Sequence, residues 1–62
     1  MYELSMYDKK FKGWIRIERD SDIDRLTLIA FERFNYGKMK IDNLSTLETE
    51  RLFDIKDTFK EL

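Results

Sequence analysis

Apolar residues are densest between Leu26 and Phe34, in the run Leu-Thr-Leu-Ile-Ala-Phe-Glu-Arg-Phe, and the polar segments on either side read as its covering. Two alternating stretches come before it. Tyr2, Leu4 and Met6 fall on one side and Glu3, Ser5 and Tyr7 on the other, the period-two pattern of a half-buried strand. Asp8-Lys9-Lys10 is polar enough to turn the chain. Alternation then resumes, with Phe11, Gly13, Ile15 and Ile17 facing one way and Lys12, Trp14, Arg16 and Glu18 the other. This predicts an antiparallel β-hairpin over about 2–7 and 11–19. Gly13 inside the second run points to a bulge or a close backbone approach.

The dense run admits two readings. As an α-helix over about 22–36, it puts Ile23, Leu26, Ala30, Phe31 and Phe34 on one face and Asp22, Arg25 and Glu32 opposite. Ser21 with Asp24 resembles a capping box, and Gly37 sits where a helix would stop. Leu28 and Ile29 point away from the main face. As a strand, Leu26–Phe34 would turn at Asn35-Tyr36-Gly37 into the alternating Met39-Lys40-Ile41. The helix is preferred, although short apolar runs are not separable by pattern alone.

A second helix is expected over 45–62. Ser45 and Glu48 match the S-x-x-E box, no Gly or Pro interrupts Thr46–Leu62, and Leu47, Leu52, Ile55, Phe59 and Leu62 line a stripe. Phe53 falls on its polar side, among Glu50, Asp54, Asp57 and Glu61. The fold class is therefore α+β, an N-terminal hairpin packed on one or two helices within a single domain over 1–62.

Composition narrows the function more than it names it. With 62 residues and neither cysteine nor histidine, the chain has no disulfide or thiolate site to supplement a small core. Dense aromatic packing or a homodimer is the expected source of extra stability. The net charge of −1, with 40% charged residues of both signs, argues against a strongly basic nucleic-acid binder. No window approaches a membrane span, and the first residues lack the pattern of a signal peptide. The expectation is a complete, leaderless, cytoplasmic product. Its bias toward Lys, Ile, Phe, Asp and Glu, with one Ala and no Pro, fits an AT-rich genome such as that of a low-GC bacterium or its phage.

No catalytic constellation stands out. General acid–base work leans on histidine or a pocketed carboxylate pair, and the acids here read as helix-start residues. A Ser or Thr nucleophile would need a base at recognisable spacing, and no metal-ligand run occurs. An enzyme is not expected, nor is a cofactor or a metal.

Surface recognition is what remains. Exposed Trp, Tyr and Phe anchor interfaces because they bury much area at low rotamer cost. Trp14, Phe53, Tyr7 and Tyr36 are the candidates, with the acidic stripe Glu50, Asp54, Asp57 and Glu61 as a complement to a basic groove. Removal of Trp14 or Phe53 is expected to spare the fold. The plainer reading is that a chain this small cannot hide nine aromatics. The function expected is a non-catalytic, protein-binding regulator or inhibitor, extended by size and composition to a phage host-takeover or anti-defence protein. The alternative is a small nucleic-acid-binding regulator using Lys9, Lys10, Lys12, Trp14, Arg16 and Arg19, where bases stack and phosphates meet cations.

Overall fold

The protein is described by a computed structural model over residues 1–56. Strands β1 (Tyr2–Asp8) and β2 (Gly13–Asp20) form the first hairpin. Helix α1 (Ile23–Arg33) follows, and β3 (Gly37–Asn43) and β4 (Glu48–Ile55) make a second hairpin. The strands form one antiparallel sheet in the order β2-β1-β3-β4. Both neighbours of β1 run against it, so β2 and β3 are parallel to each other, and the connection through α1 steps over β1.

Each hairpin turns on the same device. Asp8 Oδ1 accepts from the backbone amides of Lys10 (2.8 Å) and Phe11 (3.1 Å), and Lys12 N donates to Asp8 O at 2.7 Å. Asn43 Oδ1 likewise accepts from Ser45 N (2.9 Å) and Thr46 N (3.4 Å), and Leu47 N donates to Asn43 O at 2.7 Å. Short polar side chains thus satisfy amides that a four-residue loop would leave open. Lys12 (φ 57°) and Leu47 (φ 62°) close the two loops in the left-handed region. Phe11 therefore belongs to the turn and not to the strand expected from residue 11.

The core lies between α1 and one face of the sheet. Leu4, Met39, Ile41 and Ile55 from the strands meet Leu26 and Ala30 from the helix, with Ile17, Ile23, Ile29, Phe34 and Phe53 packed around them. The only alanine in the chain faces this core, where its small side chain suits a close approach of helix to sheet. The dense apolar run is thus a helix over most of its length, as preferred. Its N-cap is Asp22, whose Oδ1 accepts from Asp24 N (3.0 Å) and Arg25 N (3.4 Å), so Ser21 does not cap it. Gly37 has φ +140° and opens β3.

Of the bulge or close backbone approach expected at Gly13, the bulge occurs instead at Ile17. Ser5 faces Arg16 while Leu4 faces Glu18, leaving Ile17 as the extra residue. Alternation shifts phase there, which turns Glu18 to the helix side, where it meets Arg33 at 3.6 Å. At Gly13 a Cβ would stand 3.2 Å from the Phe11 ring, so this glycine makes room for a side chain.

The second helix is overturned where the structure describes it. Residues 44–47 are a turn and 48–55 a strand; residues 57–62 lie outside the described residues. Ser45 donates to Asn43 instead of capping, and the φ of Leu47 cannot continue a right-handed helix. The expected stripe also disperses, since Leu47 is 84% and Leu52 60% exposed while Ile55 is buried. Pairing with the otherwise open edge of β3 decides the conformation, and an extra residue at Glu50 disguises the strand's alternation.

Candidate functional site

Helix α1 covers one face of the sheet, and no described element covers the other. Register places Glu3, Ser5 and Tyr7 of β1 on the open face, opposite Arg19, Arg16 and Trp14 of β2. On the other side, Ser5 pairs with Lys40 and Glu3 with Asp42, while Lys40 and Lys38 pair with Leu52 and Asp54 of β4.

Trp14 is held in place on this face. Tyr7 meets it edge-on, with ring centroids 5.4 Å apart and planes at 74°. Lys40 Nζ lies 4.8 Å from the Trp14 ring centroid and 3.1 Å from Asp42 Oδ2. Lys40 reaches Trp14 across β1 at the level of Ser5, which is only 3% exposed; a long side chain at Ser5 would obstruct that path.

An open cleft forms at the end of the sheet that carries the first turn. Tyr7, Trp14 and Tyr36 line it together with Met6, Gly37 and Ile55. Tyr7 and Trp14 belong to the open face and Met6 and Ile55 to the helix side, so the cleft wraps around the end of the sheet. Its rim carries Lys9, Lys10, Lys38 and Lys56, with Asp8 and Asp54 as the acids. Tyr36 is 70% exposed and available to a ligand. The antiparallel sheet makes this gathering: β1 ends where β3 begins and β4 ends, so residues 7, 36 and 56 lie at one end of the sheet.

Three of the four aromatics singled out for partner binding therefore come together. Phe53 does not join them. It lies on the helix side of β4, packed against the core and stacked on Phe31, with centroids 5.6 Å apart and planes at 19°. Of the acidic stripe, the part within the described residues is on a strand and not on a helix face. Glu50 sits at the bulge of β4, Asp54 lines the cleft opposite Lys38, and Asp57 and Glu61 lie outside the described residues.

The basic set divides in the same way. Lys9 and Lys10 line the cleft with Trp14, whereas Lys12 closes the turn. Arg19 Nε binds Glu3 Oε2 at 2.8 Å, and Arg16 stands 4.0 Å from the same oxygen. Lys38 and Lys56 were not among the expected site residues. The alternation of Lys38 and Lys40 around Met39 is the signal that could have put Lys38 on the open face; no local pattern marks Lys56.

Among the described residues no three acidic side chains gather to hold a metal ion, and no helix is long and apolar enough to cross a membrane. Comparison with known protein families, curated proteins and solved structures finds no match.

Proposed function

We propose that the protein is a non-catalytic binding module that engages another protein through the cleft around Trp14. The observation that supports this reading most is that Tyr7, Trp14 and Tyr36, from three separate parts of the chain, line one cleft. Aromatic anchors of this kind supply most of the energy in a compact interface. Trp14 is already braced by Tyr7 and Lys40, so little rotamer freedom is left to lose on binding. Such a module acts by occupying its partner's surface, which is the action of a regulator or inhibitor. The composition extends the proposal to a phage-encoded host-takeover or anti-defence protein.

The nucleic-acid reading draws its support from Lys9 and Lys10 beside Trp14. Less favours it than the sequence promised, because Glu3 engages Arg16 and Arg19 and Lys40 lies over the Trp14 ring. Fewer free cations and a covered indole face both weaken stacking with phosphate contact.

Site-directed photocrosslinking tests the proposal. A benzoylphenylalanine in place of Tyr36 should give a discrete protein adduct in cells of the source organism, lost in the Trp14→Ala background. The same group at Leu47, exposed in the turn at the far end of the sheet, should give none. Equal adducts from both positions, no adduct from Tyr36, or an adduct of the chain with itself (the homodimer) would each contradict the proposal.

A further inference from the structure

The charge of the cleft differs from that of the chain. The whole sequence carries −1, yet among the described residues Lys9, Lys10, Lys38 and Lys56 line the cleft with Asp8 and Asp54. The Asp8 carboxylate also has other work, since it accepts two amides of the turn. We propose, resting on the protein-binding reading of this cleft, that its occupant is an acidic segment of the partner, with carboxylates spaced around one aromatic or aliphatic side chain. The carboxylates meet the lysines, and the apolar side chain meets Tyr36 and Met6.

Protein carboxylates fit this site better than a phosphate chain on three counts. The rim offers lysines, which are point charges, while the nearby guanidiniums, the groups that grip phosphate by paired hydrogen bonds, lie against Glu3. Lys40 takes up a face of Trp14 that a base would need. Asp54 also lies among the lysines, where it repels a continuous run of phosphates but accepts a donor from a segment of mixed composition.

The test uses the full chain with the photoreactive group at Tyr36, followed by digestion and sequencing of the crosslinked segment. Acidic residues should outnumber basic ones in that segment. Adduct yield should fall at least about tenfold in the double variant Lys10→Glu/Lys38→Glu, because like charges across an interface cost several kcal/mol. The control Arg25→Glu/Arg33→Glu, with the same net charge placed on α1, should leave the yield unchanged; circular dichroism confirms the fold of each variant. A crosslinked segment that is basic or neutral overturns the proposal, and so does an adduct removed by nuclease. A protein adduct indifferent to Lys10→Glu/Lys38→Glu overturns it too, but leaves the protein-binding reading standing. The absence of any protein adduct from the parent chain, like the other outcomes that contradict the protein-binding reading, removes both.

Discussion

Lys40 Nζ stands 4.8 Å from the centroid of the Trp14 ring, so a β3 side chain crosses β1 to brace the indole on β2. A cation over an indole at such a site contributes about 0.5–1 kcal/mol. Lys40 also pairs with Asp42, so a single substitution would mix two effects. A double-mutant cycle of Lys40→Met and Trp14→Leu isolates the first, and urea unfolding should return a coupling of about 0.5–1 kcal/mol. A coupling near zero would mean that Trp14 is not braced.

Phe53 changes role between sequence and structure. Stacked on Phe31 and packed against the core, it holds β4 to the helix side of the sheet. Phe53→Ala should destabilise by about 2–3 kcal/mol, somewhat below the cost of deleting a fully buried ring. The whole chain is expected to have only about 3–9 kcal/mol of stability, so this loss is large. Thermal and urea unfolding should show it, while Trp14→Ala, on the open face, should cost less.

The second turn separates two accounts of residues 43–48. Asn43→Ala removes the acceptor of the Ser45 and Thr46 amides and should cost about 1 kcal/mol. Ser45→Ala should stay within about 0.5 kcal/mol, as exposed substitutions usually do. If Ser45 capped a helix the order would reverse, and urea denaturation of the two variants decides between them.

Much of the first half was legible because its signals are local. Alternation in β1, the polar turn, the first part of β2 and the 3.6-residue spacing of α1 each lie within a few neighbours. The second hairpin was not. Ser45-x-x-Glu48 and the spacing of Leu47, Leu52 and Ile55 imitate a helix, and the bulge at Glu50 interrupts the alternation that Arg51, Phe53 and Ile55 then follow. What makes β4 a strand is the open edge of β3, which no short window contains. Tyr7, Trp14 and Tyr36 could be identified one by one as candidate anchors, but their meeting depends on the strand order. Lys38 and Lys56 join the site for the same reason.

Gly37 and Gly13 should respond differently to alanine. Gly37 has φ +140°, and a Cβ there would find Met6 Sδ at an ordinary 3.5 Å, so the cost comes from the backbone. Gly37→Ala should lose about 1 kcal/mol or more. Gly13→Ala needs only a movement of the Phe11 ring, an exposed group, and should change stability by less than about 0.5 kcal/mol. Denaturant midpoints of the two variants check both.

Trp14 is the only tryptophan, so fluorotryptophan incorporation places a single fluorine reporter in the cleft. The decisive measurement is its fluorine NMR spectrum during titration with the unlabelled protein captured through Tyr36. A resonance that shifts or broadens until the partner saturates is the result expected of a cleft that works by contact. A resonance unmoved at saturation would place the interface elsewhere and contradict the proposed role of Trp14.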